Sequence, residues 1–179
     1  AVNSFIDKTA EMNSSIANSN DKHRISIVTY SSSANIQQQL TVCDDSNISR
    51  LKRTINGLTA NGATGADYAM DKTIESLESA RDDAKKIVVF FTDGEPNHYN
   101  GFDNTVANAA INKAKNLKDT GALMYSIGVF DTADPSDTAS NFNAYMHGMS
   151  SNYPNATSYT NLGQRATDKN GQPTQYYKA

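Results

Sequence analysis

Ile87-Val88-Val89-Phe90-Phe91 is apolar at every position and runs directly into Thr92-Asp93-Gly94-Glu95-Pro96. This break constrains the fold more than any other stretch of the chain. A run with no polar alternation predicts a strand covered on both faces, as in the middle of a parallel sheet. A carboxylate immediately behind such a strand must be solvated, hydrogen-bonded or metal-bound. Gly94 permits a sharp turn, and Pro96 keeps the strand from continuing.

Two further runs, Arg24 to Tyr30 and Ala122 to Phe130, are rich in β-branched and apolar residues and predict strands. Ile36, Leu40 and Val42 sit among polar neighbours, which predicts a half-exposed edge strand paired as a hairpin with residues 24–30. Helical periodicity fills the gaps. Val2, Ile6, Thr9 and Ile16 predict the first helix, and Leu51, Ile55 and Leu58 the second. Ala66, Met70, Ile74 and Leu77 mark a third face, and Val106, Ala110, Ile111 and Leu117 a fourth that Gly121 stops. Phe142, Tyr145, Met146 and Met149 mark a fifth, and Gln175–Lys178 are predicted to begin a last strand. This alternation predicts a single α/β domain, a Rossmann-like doubly wound sheet. It is mostly parallel, with one antiparallel edge strand and helices on both faces.

Composition removes several classes of function. Lys and Arg number 16 against 19 for Asp and Glu, a formal charge of -3, so a generally basic surface for nucleic acid is absent. The longest apolar run falls far short of the roughly 20 residues a membrane-spanning helix needs, so no membrane insertion is expected of this segment. Cys43 is the single cysteine, which excludes an internal disulfide or a Cys-based zinc cluster, and it is expected to be an inert strand-end residue.

Two loops carry chemistry. Ligands of open α/β sheets bind outside the carboxyl ends of the strands, where Asp93 stands. Asn61-Gly62-Ala63-Thr64-Gly65 precedes a helix, and its open backbone would expose the Thr64 hydroxyl to a hard, oxygen-seeking cation such as Mg²⁺. Each loop alone has an ordinary reading, a turn for Asp93-Gly94 and a helix cap for Thr64. Their combination is far more specific.

With these residues the chain resembles a von Willebrand factor type A (vWA) domain. The resemblance rests on IVVFFTDGEP (87–96), NGATGADYAM (61–70) and ALMYSIGVF (122–130), and the family's element order is followed from about residue 2 to 130. FNAYMHGMSSNYPNATSYTNLG (142–163) resembles the vWA domains of Gram-positive, sortase-anchored pilus-tip adhesins and surface proteins. The resemblance implies a metal-ion-dependent adhesion site in which Thr64 and Asp93 hold Mg²⁺, or Mn²⁺ or Ca²⁺. Gly94, Glu95, Asn97 and His98, with Tyr99, would shape the rim, while Asp67 is expected to be solvated.

The family's first site motif, Asp-x-Ser-x-Ser, does not occur in this sequence. In the family it ends a central strand just upstream of the helix with which this chain starts. The expectation is therefore one vWA domain over residues 1–179, cut at both ends. It would have a slot in the sheet between residues 24–30 and 87–91 and would bind metal weakly. The implied function is metal-dependent, non-catalytic binding of host or matrix proteins by an extracellular, cell-wall-anchored bacterial surface or pilus protein.

Two alternatives compete. One is a metal-dependent phosphohydrolase with Asp93 as nucleophile. Here Asp93-Gly94-Glu95 only approximates the required carboxylate pair, and Lys85 and Lys86 lie at the opposite end of the strand. The other is a metal-independent vWA scaffold. A Gly-x-Ser-x-Gly elbow, a Walker lysine and a dinucleotide fingerprint are all missing from the sequence.

Overall fold

The computed structural model describes residues 2–174. In chain order the elements are α1 (Val2–Ser14), β1 (Arg24–Tyr30), β2 (Ala34–Val42), α2 (Ile48–Asn56), α3 (Ala66–Leu77), β3 (Ile87–Thr92), α4 (Asn104–Asp119), β4 (Leu123–Gly128) and α5 (Asn141–Met149). The strand expected at Gln175–Lys178 lies outside the described residues.

Local chemistry sets the element ends. Asp103 caps α4 by accepting from the Thr105 and Val106 amides at 2.8 and 3.2 Å. Gly121, at φ 87°, turns the chain out of that helix and into β4. The cap of α3 is Gly65 and not Thr64, so the Thr64 hydroxyl is not spent on the helix.

β1 and β2 form an antiparallel hairpin with Tyr30 opposite Ala34 and Arg24 opposite Val42. β3 and β4 are parallel and in continuous register from Ile87 with Leu123 to Thr92 with Gly128. Parallel strands need a crossover, which α4 supplies. Among the described residues no ladder joins β1 to β3, and the strands fall into two two-stranded sheets. What crosses between them is a side chain: the Tyr30 hydroxyl donates to the Phe91 carbonyl at 2.6 Å, and the Tyr30 ring stacks on Phe90 at 5.4 Å.

The main core lies between β3–β4 and helices α3, α4 and α5. Phe90 and Met124 from the strands meet Met70, Ala110, Ile111 and Tyr145 from the helices. A smaller cluster joins Ile6 and Ala10 of α1 and Leu51 of α2 to Ile27 and Cys43 of the hairpin. Buried Cys43 is a packing residue, as the sequence suggested; burial, then the nearby Asp44 and Asp7 charges, push its thiol pKa up. Asn13 is fully buried and fully used, donating to the His23 and Cys43 carbonyls and accepting from the His23 amide. It fastens the end of α1 to both ends of the hairpin.

One expectation fails. β3 is covered on one face only. Its odd-numbered residues and their β4 partners point away from the main core, leaving Ile87 52%, Tyr125 54% and Ile127 39% exposed. An unbroken apolar run looks the same whether both faces are packed or one is open, because polar alternation is the only signal that separates them.

Candidate functional site

The two loops singled out in the sequence meet. Thr64 and Asn97 form an antiparallel bridge, the Thr64 amide donating to the Asn97 carbonyl at 3.2 Å and the Asn97 amide returning to Thr64 at 3.0 Å. The Thr64 hydroxyl lies against Gly94 so closely that a Cβ there would stand 2.8 Å from Oγ1. Gly94, which follows Asp93 in the chain, is therefore needed for the close approach of the two loops. Thr92 steadies the turn, its hydroxyl donating to the Gly94 carbonyl at 2.8 Å.

A third support comes from the hairpin turn at 31–33. The Gly65 amide donates to the Ser31 carbonyl at 2.8 Å, and the Ala63 amide to the Ser32 hydroxyl at 3.0 Å. Gly62, at φ 85°, lets the chain bend against Ser32. Ser31-Ser32-Ser33 is the short connection between β1 and β2. Its role depends on a segment thirty residues away, and no local pattern reports such a contact.

The rim residues separate on inspection. Asp93, Glu95 and Tyr99 are exposed, Tyr99 at 93%. Asn97 is buried and braces its own loop, its amide donating to the Glu95 carbonyl at 2.7 Å. Asp67 is not solvated, as expected from its helix position, but buried. His98 reaches back over the helix start, its Nε2 lying 2.9 Å from Asp67 Oδ1 while its ring stacks on Tyr68 at 4.4 Å. Lys113 of α4 donates to the Asp67 carbonyl at 3.1 Å and to Asp71 at 2.7 Å, tying the same turn to the neighbouring helix. Beneath the site the Tyr30 hydroxyl stays protonated, pushed up to about 12. Burial is the main cause, and the Asp93 charge adds to it against a lowering contribution from Thr92.

The candidate donors on these two loops are oxygens: the Thr64 hydroxyl against Gly94, the exposed Asp93 carboxylate, and the Oδ1 of Asn97, buried with no hydrogen-bond partner on the residue bridged to Thr64. No cluster of three or more His, Cys, Asp or Glu able to hold a metal occurs among the described residues. Such a set fits a hard cation that keeps waters and takes few protein ligands. It does not fit the nitrogen and sulfur shells of structural zinc.

The family model for the von Willebrand factor type A domain matches residues 1–167. The chain belongs to this family. The α/β arrangement above is accordingly the Rossmann-like vWA fold. Solved structures carry the same fold. The vWF domain of the type V pili tip protein Mfa5 from Porphyromonas gingivalis superposes with a TM-score of 0.61 at 13% identity, covering 89% of this chain and 78% of that one. Proximal thread matrix protein 1 of the mussel byssus, with a zinc-occupied MIDAS motif, gives 0.58 at 19% identity over 90% of this chain and 37% of that one. Manganese-loaded TRAP protein of Plasmodium vivax gives 0.53 at 21% over 83% and 57%. This vWA domain thus spans under two thirds of the TRAP chain and little more than a third of the byssus chain. At these identities the likeness speaks for the fold alone. No curated protein matches the chain in sequence.

Proposed function

We propose that this vWA domain is a divalent-cation-dependent protein-binding module of an extracellular bacterial surface or pilus protein, and that it does no chemistry on its partner. Membership of the family supports a protein-interaction role in general. The observation that supports the cation dependence is the packing of the Thr64 hydroxyl on Gly94, the residue that directly follows the exposed Asp93. The neighbours whose sites hold manganese or zinc, and the pilus-tip relative, are consistent with this reading.

In this reading Thr64 and Asp93 hold Mg²⁺ or a similar ion, which when bound offers an open position to a carboxylate of the partner protein. The chain's own residues do the rest. Gly94 permits the approach, the Thr64–Asn97 bridge fixes the spacing of the two loops, and exposed Glu95 and Tyr99 border the approach path. A single carboxylate leaves a divalent charge incompletely neutralised, which favours an acidic partner group. A phosphohydrolase draws no support from this geometry: Lys85 and Lys86 precede β3, at the end opposite Asp93.

Manganese titration followed by calorimetry and by electron paramagnetic resonance tests the proposal. With only two contributing loops, millimolar affinity is expected; Asp93→Ala and Thr64→Ala each abolish it with the thermal melt unchanged, and Gly94→Ala abolishes it while lowering the melt, because its Cβ would press on Thr64 Oγ1. In parallel, binding to immobilised collagen, fibronectin and fibrinogen is compared with and without chelator. Chelator-insensitive capture that survives Asp93→Ala would establish the scaffold reading instead. Micromolar cation affinity would show that the two loops suffice.

A further inference from the structure

A groove of about 590 Å³ lies between the start of α5 and the segment 159–163, and neither Thr64 nor Asp93 lines it. Its walls include Thr138, Asn141, Tyr159, Thr160, Asn161 and Leu162. The volume is within the range of small-molecule sites, yet the lining is unlike that of an apolar ligand pocket. Hydroxyl and amide groups dominate, one aromatic ring stands among them, and no charged side chain belongs to the wall.

That chemistry selects a class of ligand. An ionic ligand would find no opposite charge. A flat apolar one would strand the amides and hydroxyls without partners, at a cost for each group. A neutral polyhydroxylated ligand matches both parts: its hydroxyls exchange bonds with amides and threonines, and its C–H faces cover an aromatic ring and a leucine.

The wall is also prepared in advance. Tyr159 is held from three directions: its hydroxyl donates to Asn104 Oδ1 at 2.8 Å, its ring meets Phe102 edge-on at 5.0 Å, and its amide donates to Asn108 Oδ1 at 3.3 Å. Asn161 is steadied by a 3.1 Å bond from its amide to the Thr157 hydroxyl. Rigid aromatic and amide groups lose little entropy on binding. On the facing wall α5 begins without a side-chain cap, so first-turn amides there remain available as donors.

We propose that this groove is a carbohydrate-binding site for neutral mono- or disaccharide units, separate from the cation site and independent of it. Tyr159 supplies the stacking platform, and Asn141, Asn161 and Thr138 supply the hydrogen bonds. A domain so equipped grips a glycosylated surface through sugars and through carboxylates at two different places.

Saturation-transfer NMR on the whole chain, in the presence of chelator, provides the test. The probes are glucose, galactose, N-acetylglucosamine, lactose and a neutral Gly/Ser/Asn peptide. At least one sugar is expected to receive saturation, with millimolar affinity. Amide shifts are expected at Asn161 and Gly163 in the unsubstituted protein. Tyr159→Ala and Asn141→Ala should each weaken binding by about tenfold or more. Tyr159→Phe, which keeps the ring, should retain it, and Asp93→Ala should leave it unchanged. The Asn141 variant and the wild-type shift map keep the test decisive if Tyr159→Ala fails to fold. The proposal is overturned if no sugar receives saturation. It also fails if binding persists undiminished in Asn141→Ala, requires a divalent cation, or is shown by the peptide alone.

Discussion

Asp67 and His98 stand thirty-one positions apart, and their contact joins the start of α3 to the loop after β3. A buried carboxylate needs a partner, and His98 is the side chain that faces it at 2.9 Å. Removing either leaves the other poorly satisfied, so Asp67→Ala and His98→Ala are each expected to cost about 1–2 kcal/mol. Because they serve one contact, the double variant should cost less than the sum. Urea denaturation of the four proteins gives the answer, and strict additivity would show that the pair is not coupled. Thr64 and Asp93 were legible in the sequence because each stands at a punctuated place, a Gly-flanked loop and the end of an apolar strand. Asp67 was not. Helix position alone suggested solvent, and only the fold brings His98 over it.

At the level of elements, the helical period of the apolar residues located the five helices and apolar, β-branched runs the four strands among the described residues, since that period is fixed by backbone geometry. What it left open was the surroundings of β3. Ile87, Val89 and Phe91, with Tyr125, Ile127 and Val129, form an exposed apolar face beside a strand edge without a ladder partner. Such faces and edges favour association. The isolated chain is expected to self-associate with rising concentration in sedimentation experiments and to bind a hydrophobic dye while its circular dichroism stays native. Val89 and Tyr125 are register partners on that face. Replacing both, Val89→Lys with Tyr125→Lys, should suppress association and dye binding while changing stability by no more than about 0.5 kcal/mol. A large loss of stability would mean that the face is packed in solution.

For the molecule as a whole, acid is expected to act in two separate steps. His147 of α5 is buried, and burial holds its pKa below the ordinary 6.5 despite the bond to the Asp137 carbonyl. The unfolded chain therefore takes up a proton before the folded one does, and stability falls as pH drops below about 6.5. Asp137 works in a lower window. The Ala139 amide, then the Ser140 and Asn143 side chains, hold its pKa at about 2 against an ordinary 3.8. Its contribution is fully present above the ordinary value and is lost as pH falls toward 2. Thermal melts between pH 2 and 8 should show both declines, with His147→Gln removing the upper and Asp137→Ala the lower. A single decline centred near pH 4 would refute the assignment to His147. Neither step was visible in the sequence, because burial and hydrogen bonding shift these groups and their residue types alone do not.

The Tyr30 hydroxyl that reaches Phe91 gives the molecule an unusual seam. Where neighbouring strands are commonly laced by a row of peptide bonds, β1 and β3 share one phenol and one ring stack. Opening motions divide along their weakest boundaries. The hairpin with α1 and α2 should therefore behave as one cooperative block, and β3–β4 with α4 and α5 as another. In native-state hydrogen exchange the amides of the two blocks are expected to fall on two isotherms. Tyr30→Phe should widen the gap between them while slowing neither block's own exchange. Exchange on one common isotherm would show that helix packing alone makes the two halves a single unit. A tyrosine at the end of a strand would then be an ornament of the seam, and the bridge between Thr64 and Asn97 would owe its rigidity to the helices.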